Sequence, residues 1–186
     1  MRRLGLLLWS AGLAALIAAP AQASDAADSS EEWQRVDSRY CTIWIDPSVG
    51  AEQVFRRISV WRIQPQVRAA PGSTLNEQLA AKFDTLLLRV QDLLDMYPPG
   101  IHITFRITRD RNEIDRVHRA HYGVGVDAQA IYLFESNTVY ADYPELSESV
   151  LAHEMAHAVI DHYFGVRPPR KIEEMLAIYA DENLRE

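Results

Sequence analysis

Two histidines four residues apart, with a glutamate directly after the first, are the residues of this chain best suited to chemistry. They are His153, Glu154 and His157, in the string HEMAH. In a helix, positions four apart differ in direction by only about 40°, so both imidazoles leave the same face. Two neutral imidazoles are good Zn²⁺ ligands, and the glutamate between them can act as a base toward water. The string therefore predicts a zinc site with Glu154 as general base.

The neighbouring sequence favours a helix at this position. Apolar residues surround the string, and the helix is expected to start between Pro144 and Ser149 and to end near Tyr163. Chance alone would place the string in on the order of one per cent of chains of this length. Because the string lies in a predicted helix, chance occurrence is a weaker explanation for it.

A third ligand could come from either of two places. His162 lies nine residues after His153, about 180° around the helix, so we interpret it as a surface histidine. Glu173 and Glu174 lie on the last predicted helix, residues 172–184. The intervening turn would bring that helix back antiparallel, so that a carboxylate of this pair could face the imidazoles.

Two segments, HEMAHAVID and PRKIEEMLAIYAD, resemble the gluzincins, zinc peptidases whose third ligand is a glutamate on the following helix. The Glu, Leu, Ala and Tyr positions of the second segment imply Glu174, rather than Glu173, as that ligand. Lys171 and Met175 depart from the usual aromatic residue and glycine. The resemblance covers about residues 75–184 and implies a compact zincin-like domain that hydrolyses peptide bonds.

The resemblance also implies an edge strand that holds the substrate main chain. We assign that strand to Tyr122, Gly123, Val124, Gly125 and Val126. Larger gluzincins supply an oxyanion-stabilising Tyr or His from a C-terminal subdomain, and only minimal members, the minigluzincins, are as short as this chain. The resemblance therefore does not identify which residue of this chain stabilises the oxyanion. The candidates are Tyr122, Tyr140, Tyr143 and Tyr163.

Two aspartates are candidates for accepting a hydrogen bond from the imidazole nitrogen that does not face the metal. A metal-bound histidine usually donates its other N–H to a carboxylate or carbonyl. Asp161 lies four residues after His157 on the same helix face, and Asp181 lies seven residues after Glu174. Each could instead be an ordinary solvated acid on a helix surface.

Composition narrows the class of protein. The 186 residues include 26 Asp and Glu against 19 Lys and Arg, a net charge of -7, and a single cysteine. An acidic chain is a poor binder of phosphate backbones, so no nucleic-acid partner is expected. One cysteine excludes an intramolecular disulfide and a Cys-rich zinc site, which leaves His, Asp and Glu as metal ligands.

Residues 1–23 have the pattern of a secretory signal. Arg2 and Arg3 precede an apolar run over 4–19, and Ala21-Gln22-Ala23 is a small-x-small cleavage site. The alternative is an uncleaved membrane anchor, but the run is shorter than the ~20 residues that a bilayer span needs. We expect an exported protein, periplasmic or secreted, with no stable membrane span after cleavage.

The remaining elements predict an α+β fold, a single zincin-like domain with a small mixed sheet and a backing helix. Residues 24–32 are expected to form a disordered linker, 33–73 a strand and helix segment of unknown role, and 74–186 the catalytic domain. The predicted elements are strands at 40–45, 102–107, 130–134 and 138–140, and helices at 52–63, 74–97 and 112–120. Thr74 and Glu77 match a capping box at the start of the 74–97 helix. An apolar stripe along one side of this helix is expected to be buried and consists of Leu75, Leu79, Phe83, Leu86, Val90, Leu93 and Leu94. Residues 123–126 and 130–134 are predicted to form a hairpin.

The hypothesis is an exported zinc metallopeptidase acting on peptides or proteins. His153, His157 and Glu174 would hold Zn²⁺, and Glu154 would pass a proton from water to the leaving amine. Two alternatives stay open: a domain that binds zinc without turnover, and a zinc-free periplasmic interaction domain in which the HExxH string is incidental. Metal analysis and a peptide library would distinguish the three.

Overall fold

A five-stranded mixed sheet, with helices packed on it, is the framework of the described residues. The structure is a computed structural model and describes residues 32–60, 63 and 72–185. The strands are β1 (Gln34–Asp37), β2 (Cys41–Ile45), β3 (Ile103–Thr108), β4 (Ala130–Leu133) and β5 (Thr138–Asp142). The helices are α1 (Ala51–Arg57), α2 (Leu75–Leu94), α3 (Arg111–Tyr122), α4 (Glu148–Tyr163) and α5 (Arg170–Glu182). The predicted α+β class is confirmed.

The strand order is β1-β2-β3-β5-β4, which leaves β4 at one edge of the sheet. The three central strands are parallel, and the two outer strands run antiparallel to their neighbours. Alternate residues of the central strands, such as Ile43, Phe105 and Val139, are fully buried. This face of the sheet forms the core, and α4 contacts both β4 and β5.

Helix α2 is the predicted backing helix, and the middle of its predicted apolar stripe is buried, whereas Leu75 is exposed and Leu93 and Leu94 are partly buried. Leu79, Phe83, Leu86 and Val90 have no exposed surface, and the rings of Phe83 and Phe105 lie 4.9 Å apart. The predicted capping box begins the helix: the Glu77 N–H donates to the Thr74 hydroxyl, and the Glu77 carboxylate accepts the Thr74 N–H at 2.7 Å. These local interactions fix where the helix starts.

The predicted edge strand at residues 122–126 is wrong. Tyr122 is the last residue of α3, and Gly123 ends the helix in the left-handed conformation (φ 76°), which favours glycine. The residues that follow have no regular structure, and the Asp115 carboxylate accepts the N–H of Val126 at 2.9 Å. The hairpin is therefore formed by β4 and β5, joined through a 3₁₀ turn at Phe134–Ser136, and β4 is the edge strand.

The described part of the segment 33–73 contributes two strands to the same sheet. Strands β1 and β2 pair with each other, and β2 pairs with β3, so no domain boundary falls at residue 74. Helix α1 is shorter than predicted because Ile58 is extended, and Lys82 Nζ donates to the Phe55 and Ile58 carbonyls.

Other predicted segments cannot be compared with the fold. The signal segment 1–23, most of the linker 24–32 and residues 61–62 of the predicted helix 52–63 lie outside the described residues. Within the described ranges, no helix is both long and apolar enough to cross a membrane.

The capping box predicts a measurable effect on stability. Thr74→Ala removes the side-chain acceptor, so the free energy of unfolding should fall by about 1 kcal/mol. Thr74→Ser keeps the hydroxyl and serves as the matched control. Denaturant unfolding of the three proteins checks this, and equal midpoints for Thr74→Ala and wild type would contradict it.

Candidate metal centre

Helices α4 and α5 bring three potential metal ligands together. His153 and His157 lie one turn apart on α4, and their Nε2 atoms are 3.3 Å apart. Glu174 reaches them from α5: its Oε2 lies 3.6 Å from His153 Nε2 and 3.8 Å from His157 Nε2. Among the described residues, this is the one group of three or more His, Cys, Asp or Glu side chains close enough to hold a metal ion.

The separations of these three atoms fit a single divalent cation. In a tetrahedral site with bonds of about 2.1 Å, ligand atoms lie about 3.4 Å apart. Burial, followed by the effect of neighbouring His153, lowers the pKa of His157. The imidazole is then neutral at pH 7, which is the protonation state that binds a metal.

Asp181 forms a hydrogen bond with the ring nitrogen of His153 that faces away from the cluster. Its Oδ2 lies 2.9 Å from His153 Nδ1, so the Nδ1–H donates to the carboxylate and Nε2 presents its lone pair to the cluster. Asp181 and Glu174 are seven residues apart on α5 and share one helix face. One helix therefore supplies both a potential ligand and the carboxylate that orients a second potential ligand.

Glu154 is buried beside this cluster, with 8% of its surface exposed. Burial raises the pKa of Glu154 to about 7, although His153 and a hydrogen bond from the main chain of Tyr132 act in the opposite direction. Tyr132 lies in the middle of β4, so its main chain connects the edge strand to the carboxylate. A carboxyl group with this pKa can both accept and donate a proton near neutral pH.

The structure places Asp161 in a different role from the one predicted. Its Oδ2 accepts the Tyr132 hydroxyl at 3.2 Å, and its Oδ1 lies 3.4 Å from Arg167 Nε. Arg167 also donates to Glu173 at 3.1 Å. Asp161 is on the helix face toward β4, so it anchors the edge strand rather than an imidazole. Of the adjacent pair on α5, Glu174 faces the cluster and Glu173 faces Arg167.

The cluster opens into a cleft of about 730 Å³ between β4, the end of α3 and the turn before α5. Of the four tyrosines predicted as oxyanion donors, Tyr122 lines this cleft. Tyr143 instead lies under the guanidinium of Arg57, and Tyr163 packs on Phe164. Tyr140 lies within β5, opposite Ile131 of β4, and does not line the cleft.

Sequence reasoning missed Tyr132 and Arg167. Both line the cleft, and through Asp161 they connect β4 to the turn between α4 and α5. An aromatic residue in a strand and an arginine in a turn are common, and no spacing rule relates them to the HExxH string. Only their contacts identify them.

Comparisons of the chain with protein-family models, with curated proteins and with solved structures found no match. The residues of the candidate site and their geometry are therefore the basis for assigning a function.

Removing the carboxylate behind His153 should weaken metal binding. Asp181→Asn leaves the imidazole without a charged acceptor, and loss of such a partner typically costs 10–100-fold in metal affinity. Glu182→Gln, which changes the exposed neighbouring acid, is the matched control and should bind as wild type does. Zinc titration against a chelating indicator measures both, and equal affinities for the two variants would contradict the assigned role.

Burial of Glu154 predicts how the stability of the metal-free protein changes with pH. Between pH 4.5 and 7 the unfolded chain loses this proton while the folded protein keeps it, so stability falls as pH rises. The decrease relative to Glu154→Gln should be about 3 kcal/mol. Denaturant unfolding in chelator across this pH range measures it, and parallel curves for the two proteins would disprove it.

Proposed function

We propose that this protein is a zinc-dependent peptidase in which Glu154 is the general base. The observation that carries the proposal is a buried glutamate, with a pKa of about 7, directly beside two imidazoles and a carboxylate that face one cleft. Two histidines, one acidic ligand and an open fourth position form a donor set of catalytic zinc sites. The resemblance of the two ligand-bearing segments to gluzincins agrees with this reading.

Each residue has a defined task in the proposed reaction. His153, His157 and Glu174 would hold the metal, and Asp181 keeps the His153 ring in the required tautomer. Zinc, when bound, supplies a Lewis acid that lowers the pKa of water and polarises a carbonyl. Glu154 takes the proton of the attacking water on its carboxylate and then donates it to the leaving amine.

The edge strand offers the substrate its main-chain hydrogen-bonding groups. An extended peptide can pair with an exposed sheet edge, as many peptide-binding proteins arrange. β4 borders the cleft and is anchored to α4 by the Tyr132 hydroxyl. The proposed substrate is therefore an extended peptide segment. The signal-like residues 1–23 extend the proposal to a protein that acts after export, in the periplasm or outside the cell.

The experiment is a comparison of Glu154→Gln with wild type on a mixed peptide library, with zinc content measured for both. The variant should keep one zinc per chain and lose about 10²–10⁴-fold in kcat/KM, the usual contribution of a general base. Glu182→Gln should match wild type in zinc content and activity.

Each other outcome has a definite meaning. Activity retained by Glu154→Gln would reject the mechanism. Zinc bound by wild type without turnover of any peptide would favour a non-catalytic zinc domain. Absence of zinc from wild type, or equal zinc content in Glu174→Ala, would reject the ligand set.

A further inference from the structure

Two cavities meet at the candidate metal centre. The larger, of about 730 Å³, extends along β4 to Leu133 and to Arg167 and Arg170 near the start of α5. The smaller, of about 390 Å³, lies at the N-terminal ends of β4 and α4. Ala130, His153 and Glu154 line both cavities. Glu154, the proposed base, therefore lies between two cavities rather than at the closed end of a single cavity.

The edge strand continues in both directions from this point. Its four residues span about 13 Å, and the main chain of Tyr132, which bonds to Glu154, is the third of them. Residues on both sides of Tyr132 are part of the strand. An extended peptide that pairs with β4 would thus pass the base and continue beyond it.

An enzyme that removes terminal residues instead needs a charged group to hold the chain end. A free amino terminus requires a carboxylate, but the carboxylates that line the two cavities are engaged by other groups. Asp181 bonds to His153, Glu173 bonds to Arg167, Glu174 belongs to the metal cluster, and Glu154 is the proposed base.

The cations are equally unsuited to hold a terminal carboxylate. Arg167 is shared by Asp161 and Glu173, and Arg170 has 89% of its side chain exposed, so water screens its charge. The smaller cavity is also lined by the uncharged Gln129, Ser149 and Val150.

From these observations we infer that the protein cleaves internal peptide bonds, with substrate chain on both sides of the scissile bond. This inference rests on the proposed peptidase function. The reaction is hydrolysis: the C–N bond breaks, the water oxygen joins the carbonyl carbon, and the proton taken by Glu154 goes to the amine. The two products are a shorter peptide with a new carboxylate and a second peptide with a new amino terminus.

The test uses zinc-loaded wild-type protein and one decapeptide library in four forms: free termini, acetylated amino terminus, amidated carboxyl terminus, and both. The doubly blocked form should be cut at internal bonds with kcat/KM within about tenfold of the free form. Mass spectrometry of the first products locates the bonds. Stepwise loss of single residues, only from a form with one free terminus, would overturn the inference and still support a peptidase.

A variant tests the use of the smaller cavity. Ser149→Trp places a large ring where an exposed serine lines this space, and should lower kcat/KM on the doubly blocked library at least about tenfold with zinc retained. Leu88→Trp, on the exposed face of α2, is the control. Unchanged cleavage by zinc-bound Ser149→Trp would overturn the inference. Failure of wild type to cut any form would reject the peptidase proposal itself.

Discussion

The hydrogen bond between His153 and Asp181 is the contact on which the geometry of the candidate centre depends. It joins α4 to α5 and fixes which ring nitrogen faces the cluster. Because Asp181 and Glu174 lie about two turns apart on the same face of α5, the register that satisfies one contact also brings the other carboxylate to the imidazoles. Helix α5 packs mainly on α4, and two of its small residues, Ala177 and Ala180, are fully buried.

A second constraint is the attachment of β4 to α4. A buried carboxylate such as Glu154 is costly unless a donor compensates for lost water, and the Tyr132 main chain provides that donor. Seven residues along α4, Asp161 accepts the hydroxyl of the same tyrosine. Tyr132 thus contacts two residues, Glu154 and Asp161, on one face of α4. These contacts set the distance between β4 and α4 and therefore the width of the cleft.

A group of charged side chains around Arg167 connects β4 and α4 to α5. Arg167 lies within ion-pair distance of both Asp161 and Glu173, two carboxylates with very little exposed surface, and its guanidinium lies 4.8 Å from the centre of the Phe134 ring. Since Glu173 directly precedes Glu174, this ion pair holds α5 beside the candidate metal centre. The candidate ligands, the proposed base and the edge strand therefore belong to one connected set of polar contacts.

Residue patterns within single elements predicted the common face of the two histidines and the start and buried side of α2. Packing between distant elements decided which strand is the edge strand and which residues the two aspartates contact. The spacing of His153 and His157 specified their common face because helical periodicity acts within one turn. The capping box at Thr74 and the apolar stripe of α2 were equally readable because their partners lie three or four residues away. The prediction of the edge strand was wrong because strand identity depends on pairing with distant residues, and Gly123 ends a helix instead. Nor could helix periodicity separate Asp161 from Asp181, since each follows a candidate ligand at a helical spacing, Asp161 four residues after His157 and Asp181 seven residues after Glu174. Only the packing of α5 and β4 against α4 made one the partner of His153 and the other the partner of Tyr132 and Arg167.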